Sequence, residues 1–176
     1  MTGLAVYPGT FDPPHRGHID LIKRGVRLFG KLIVAVAVNR GKDSTFTAEE
    51  RIAWLESCTA ELDGVRVMQF TGLVVDLLAS QDSRILLRGI RTFADFEAEY
   101  TMALTNRNIS ADLEAETVFV MPTMELSHYS SRHVKEIASF GGDVCSYLPE
   151  EISQEVSRRL AELLGPGTVE STEAPR

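Results

Sequence analysis

Four stretches of the chain concentrate groups able to grip phosphate, and each follows a short apolar run. The first is Tyr7-Pro8-Gly9-Thr10-Phe11-Asp12-Pro13-Pro14-His15-Arg16-Gly17-His18. His15 and His18 are three apart, so one helical turn puts both on the same face. Gly17 lets a phosphate approach the backbone, and a helix start offers free N–H groups and a positive dipole end. Taken alone, a His pair at this spacing more often caps or solvates a helix. A zinc pair is a third possibility, but no nearby Cys, Asp or Glu completes it convincingly. The second stretch is Arg40-Gly41-Lys42, a lysine in a glycine-containing loop. The third is Arg88-Gly89-Ile90-Arg91, followed by Asp95, Glu97 and Glu99. Two guanidinium groups spaced by a glycine can hold phosphate oxygens in forked geometry; the plainer reading pairs them with Asp95 or Glu97. The fourth runs from Ser127 to Glu136 and is rich in hydroxyls at a helix start, more than a single N-cap needs.

The elements that must position these loops are legible as alternating strands and helices. Leu4–Tyr7 reads as a buried strand stopped by Pro8-Gly9, and Ile19–Phe29 carries helical spacing. Leu32–Val38 is a β-branched run typical of a strand covered on both faces. Thr47 and Glu50 form a capping box opening a helix that runs to about Leu62, with Ile52, Leu55 and Cys58 or Thr59 facing inward. Strands follow at Val65–Phe70, Ile85–Leu87 and Thr117–Met121, with helices at Leu73–Ala79, Phe93–Asn106, Ser131–Phe140 and Glu150–Leu164. This alternation predicts an α/β fold: a doubly wound, parallel five-stranded sheet with helices on both faces. In such sheets ligands bind beyond the carboxyl ends of the strands, where all four loops fall.

A chain of 176 residues is expected to form one domain over residues 1–164, with residues 165–176 as a polar, loosely ordered tail. The net charge of −7 excludes a general nucleic-acid or membrane-surface binder, while leaving room for an anion held by a few focused cations. Cys58 and Cys145 lie far apart, which argues against a disulfide scaffold or a thiolate metal site. There is no apolar run of about 18 residues and no basic n-region, so the expected address is the cytoplasm. Gly25–Lys31 has P-loop spacing, but Leu32 replaces the required hydroxyl and the motif precedes a strand. No GxGxxG follows the first strand.

Taken together, the stretches resemble the phosphopantetheine adenylyltransferase family of the nucleotidyltransferase superfamily, from about residue 3 to residue 164. The resemblance rests on YPGTFDP, the GH at Gly17-His18, Lys42, RGxR at 88–91, DFExE at 95–99, the serine turn, VKE and GGDV. It implies a Rossmann-like nucleotidyltransferase fold. It also implies transfer of the adenylyl group of ATP to 4′-phosphopantetheine with Mg²⁺, giving dephospho-coenzyme A and pyrophosphate. On that resemblance His18, Lys42 and Arg91 are the expected catalytic residues, and Thr10, Lys42, Val74 and Arg88 the phosphopantetheine site. The ATP site is expected at Thr10, Phe11, His18, Gly89, Ile90, Arg91, Glu99, Leu126, Ser127, His128, Tyr129, Ser130, Ser131 and Arg132. No protein-held metal ligand is expected. Feedback by coenzyme A and a homohexamer are implied as well. Leu126 stands where the family has an aromatic, and Arg132 where it has a third serine.

Overall fold

The computed structural model describes residues 3–38 and 44–165. Lys42, and the tail beyond Gly165, lie outside the described residues. The elements run β1 (Gly3–Gly9), α1 (Arg16–Phe29), β2 (Gly30–Ala37), α2 (Ala48–Thr59), β3 (Val65–Phe70), α3 (Val74–Ser80), β4 (Ile85–Gly89), α4 (Phe93–Ile109), β5 (Glu116–Val120), α5 (Ser131–Ser139) and α6 (Ser153–Leu164).

The five strands form one parallel sheet in the order β3-β2-β1-β4-β5. The alternation read from the sequence therefore holds, and its consequence is geometric. The chain lays down β1, β2 and β3 outward in one direction, then returns to place β4 on the other side of β1. The strand order reverses between β1 and β4, and a crevice opens at their carboxyl ends.

Side-chain alternation along the strands divides the core in two. Ala5, Tyr7, Leu32, Val34, Val36 and Leu87 face one side, packed against Ile19 and Ile22 of α1, Trp54 and Leu55 of α2, Val134 of α5, and Val156 and Leu160 of α6. Val6, Ile33, Ala35 and Leu86 face the other, against Leu77 and Leu78 of α3. Helices thus cover both faces, as the β-branched runs required.

β1 is longer than its sequence pattern. β1 continues through Pro8 and Gly9, which pair with Ala35 and Val36 of β2. A proline is tolerated there because β1 pairs with β4 only at Ala5 and Val6. On that side of Pro8 no ladder N–H is required. The Pro8 carbonyl instead accepts a hydrogen bond from Arg88 Nη1 at 2.5 Å. α4 also runs three residues beyond the expected Asn106, to Ile109.

Candidate active site

The β1–α1 connection forms the floor of the crevice. Phe11 sits at φ 51°, a left-handed conformation unusual for a bulky residue, and its ring is buried. That ring lies edge-on to His18, with centroids 4.9 Å apart, and edge-on to Tyr7 at 5.3 Å. A Cβ at Gly9 would come within 2.8 Å of the Phe11 ring, so the turn needs glycine at that point. His15 is the N-cap of α1, and its ring stacks on that of His18 at 3.7 Å. The shared helical face expected for the two histidines is therefore observed.

Hydrogen bonding defines the proton on His18. The His15 backbone N–H donates to His18 Nδ1 at 3.2 Å. A backbone amide can only donate, so Nδ1 is an acceptor and the neutral ring carries its proton on Nε2. Burial holds the His18 pKa well below the usual imidazole value, with His15, Arg91 and Arg88 adding to the effect. Burial, with Arg91, likewise lowers His15 to about 3. At neutral pH, then, His18 is a neutral N–H donor rather than an imidazolium.

The two arginines expected to grip phosphate enter from the end of β4 and just beyond it. Arg88 is held side-on by Glu99, with Nε donating to Oε2 at 2.7 Å and Nη2 to Oε1 at 2.5 Å. With the bond to Pro8, three of its five N–H groups are engaged and two remain for a ligand. Burial acts to lower the Arg88 pKa, but the Glu99 hydrogen bonds and charge outweigh it and raise it. Arg91 pairs with Asp95 at 3.0 Å and donates from Nη1 to the Tyr129 carbonyl at 2.7 Å. The plainer sequence reading thus holds for Arg91 with Asp95, while Arg88 pairs with Glu99 and not with Glu97.

These groups line two lobes of one cleft. The first, a cavity of about 290 Å³, is lined by Thr10, Phe11, His18, Gly89, Arg91, Leu126, Tyr129, Ser130 and Ser131, together with Tyr7, His15 and Gly17. The second, about 370 Å³, is lined by Ala37, Phe70, Leu73, Val74, Leu86, Met102, Ala103 and Asn106, among others. Pro8, Gly9, Thr10, Arg88 and Glu99 line both. Ile90, Ser127, His128 and Arg132 line neither lobe. The Ile90 N–H is spent on Val120, and His128 and Arg132 are exposed. Ser130 caps α5 by accepting the His133 N–H at 3.1 Å, and Ser131 donates to the Pro13 carbonyl at 2.8 Å.

Several residues that shape the site had no role assigned from sequence. The Asp12 carboxylate is buried and accepts N–H bonds from Thr45 and Phe46 and an ion pair from Lys135 at 2.8 Å. Asp20 accepts the Thr123 N–H at 2.9 Å and an Arg24 N–H at 2.9 Å, fixing the turn that leads into the serine segment. The lining residues of α4 repeat at 99, 102, 103 and 106, one helical face. That periodicity was the available signal for Met102 and Asn106.

An α/β sheet with a switch-point cleft, a neutral histidine at a helix start and two arginines, one at the end of β4 and one just beyond it, is the arrangement of a nucleotidyltransferase. The cytidylyltransferase-like family model matches residues 6–137. Phosphopantetheine adenylyltransferase of Clostridium perfringens (strain ATCC 13124) is 40% identical over 164 residues, covering 93% of this chain and 99% of the relative. The same enzyme from Clostridium botulinum (strain Eklund 17B) is 43% identical over 156 residues, covering 89% and 97%. The fold is also that of a bifunctional NMN adenylyltransferase/ADP ribose pyrophosphatase from Francisella tularensis, with a TM-score of 0.69 at 14% identity. That match covers 93% of this chain and 53% of the other. The chain belongs to the phosphopantetheine adenylyltransferase family.

Proposed function

We infer that the protein transfers the adenylyl group of ATP to 4′-phosphopantetheine, releasing pyrophosphate and dephospho-coenzyme A, in coenzyme A biosynthesis. The observation that carries this beyond family membership is the cleft of two lobes meeting at Thr10 and Arg88. A reaction joining two substrates through phosphates needs such a junction, with cations and hydroxyls at it.

In this reading ATP takes the lobe of His18 and the serine turn. Gly89 and Arg91 meet its triphosphate, and Leu126, Tyr129, Ser130 and Ser131 line the wall beside it. Phosphopantetheine takes the lobe of Val74 and the apolar face of α4. Its phosphate lies against Thr10 and Arg88, and the family resemblance gives Lys42, outside the described residues, a role at the same phosphate. Glu99 is nearest Arg88 and acts there as an orienter. A phosphate oxygen attacks the α-phosphorus, and the bond to the β-phosphate oxygen breaks, its electron pair leaving with pyrophosphate. No general base is needed, because the nucleophile is already an anion. His18 Nε2–H donates to a non-bridging oxygen of the α-phosphate, where charge redistributes in the transition state.

The carboxylates in and next to the cleft are already engaged by cations and do not suit a resident Mg²⁺. Glu99 and Asp95 are taken by arginines and Asp12 by Lys135. Among the described residues no group of three or more His, Cys, Asp or Glu could hold a metal ion. We propose that Mg²⁺ enters with the triphosphate. Coenzyme A, which shares the pantetheine arm and a nucleotide, is proposed to compete at the same two lobes. No described helix is long and apolar enough to cross a membrane. On family membership we propose a cytoplasmic enzyme.

A homohexamer, implied by the family resemblance, is also proposed. In its support, α4 buries only Asn106 while exposing Phe93 (94%), Tyr100, Met102, Leu104 and Ile109. A helix apolar on several faces is normally covered. Light scattering tests this: a particle of 19.4 kDa at micromolar concentration contradicts it.

The activity is tested by pyrophosphate release from ATP with 4′-phosphopantetheine, nicotinamide mononucleotide or glycerol phosphate as acceptor. Release confined to phosphopantetheine is expected. Preference for another acceptor overturns the reading.

A further inference from the structure

Arg51 is one of the most buried charged residues in the protein, 3% exposed, yet no phosphate-binding motif includes it. It sits in the first turn of α2, beneath the floor of the cleft. Its Nη1 donates to the Thr10 carbonyl at 2.6 Å and to the Ala37 carbonyl at 3.2 Å. Its Nε donates to the Thr47 carbonyl at 3.1 Å. Among the described residues, Arg88, Arg91 and Lys135 each bond a carboxylate directly, whereas Arg51 is bonded to three backbone carbonyls.

A buried guanidinium is costly, and filling such a place with an apolar side chain is often neutral or better for stability. What the charge supplies here is a rigid three-way link. The planar fork ties the turn after β1, the end of β2 and the N-cap of α2 at fixed spacing. The residue gripped most closely is Thr10, which lines both lobes where they meet. Thr10 follows the last residue of β1 and is exposed to the cleft, so the strand ladder alone does not fix it.

We propose that Arg51 is a positioning residue for adenylyl transfer: by holding the Thr10 carbonyl from behind, it sets where Thr10 meets the attacking phosphate of phosphopantetheine. The proposal rests on the two-lobed reading above. It differs from a purely structural role in one respect. A residue that only stabilises the fold changes the melting temperature and leaves turnover of the folded enzyme alone. One that acts through Thr10 changes turnover, and does so only while Thr10 is present.

The experiment is a double-mutant cycle on kcat, with both substrates saturating. Arg51→Ala opens a buried hole and risks the fold, so Arg51→Lys is used, with Arg51→Gln in reserve as a shorter two-donor variant. Each enzyme is first checked as folded by its melting curve. Arg51→Lys is expected to lower kcat roughly ten- to a hundredfold, the scale of a displacement near 1 Å at a reacting group. Thr10→Ala is expected to lower kcat as well, and the double variant to be no slower than Thr10→Ala alone. Unaltered kcat in folded Arg51→Lys overturns the proposal, as does a double variant whose losses multiply. Wild-type enzyme assayed alongside separates the two levels. If it fails to use phosphopantetheine, the functional reading fails; if it succeeds and the cycle is additive, only the role of Arg51 fails.

Discussion

Removing the His18 ring tests the chemistry at its most exposed point. Nδ1 is occupied by the His15 N–H, which leaves Nε2–H as the donor, and the ring is held between His15 and Phe11. Such a donor is fixed before the reaction begins, so it adds most where charge shifts, in the transition state. Deleting one preorganised donor of this kind costs about 10²–10³ in kcat, or about 3–4 kcal/mol. His18→Ala is therefore expected to lose that much kcat, with little change in KM for ATP. If His18 only caps α1, its loss costs about 1 kcal/mol of stability and leaves turnover nearly intact. Steady-state kinetics on folded protein separates the two. His18→Gln keeps a donor and is expected to recover part of the loss; His15→Ala is expected to fall far less than His18→Ala. The pH profile adds a second check, because a ring with its pKa held well below 6.5 stays neutral across the assay range. The substrate phosphate itself titrates near pH 6, so the comparison is between enzymes. An acidic limb near pH 6.5 that vanishes in His18→Gln would refute a neutral donor, and an unchanged kcat in His18→Ala would refute the donor altogether.

Other perturbations follow from the same contacts. His15 titrates at about 3 in the fold against 6.5 unfolded, so between those values the unfolded chain binds the extra proton and stability falls as pH drops below about 6.5. About 2 kcal/mol should be lost between pH 7 and pH 5 from His15 alone. Urea unfolding at the two pH values measures it, and His15→Asn should remove that share. Burial acts to raise the Asp20 pKa, but hydrogen bonds from the Thr123 backbone, Arg24 and the Thr123 hydroxyl hold it below its usual value. Its stabilisation is thus full above the unfolded carboxylate range and lost as pH falls through the folded value; Asp20→Asn should flatten this part of the acid limb. Glu99→Gln weakens the side-on clamp on Arg88 and is expected to lower kcat/KM for phosphopantetheine about tenfold, a scale set by misplacing one positioned group. Equal kcat/KM in the two enzymes would remove Glu99 as an orienter. Gly64→Ala combines φ 83° with a Cβ directed onto the Gly30 carbonyl. It should cost on the order of 1–3 kcal/mol in denaturant unfolding while leaving kcat of the folded enzyme unchanged.

The legible part of this molecule was local. β-branched runs such as Leu32–Val38 marked strands because a strand covered on both faces has no polar side to show. The Thr47–Glu50 box marked the start of α2 and is present, with both reciprocal bonds formed. The phosphate-gripping loops were legible because their residue types are concentrated at strand ends. What escaped was set by contacts between distant residues. Nothing near Asp12 in sequence foretells its pair with Lys135, 123 residues later, or that Arg51 reaches back 41 residues to Thr10. Pro8 read as the end of β1, because the reason it is tolerated, a neighbouring strand that stops pairing at Val6, lies in β4. Of the four phosphate-gripping stretches, the first, third and fourth converge on the cleft; Lys42, in the second, lies outside the described residues.

The central claim, that phosphopantetheine and ATP meet at one junction and exchange an adenylyl group, is met most directly by a single turnover with ATP labelled at the α-phosphorus and enzyme in excess. With 4′-phosphopantetheine present, we expect the label in dephospho-coenzyme A, appearing in step with one equivalent of pyrophosphate. Label that remains in ATP, or that leaves it at the same rate whether or not phosphopantetheine is added, would contradict the claim.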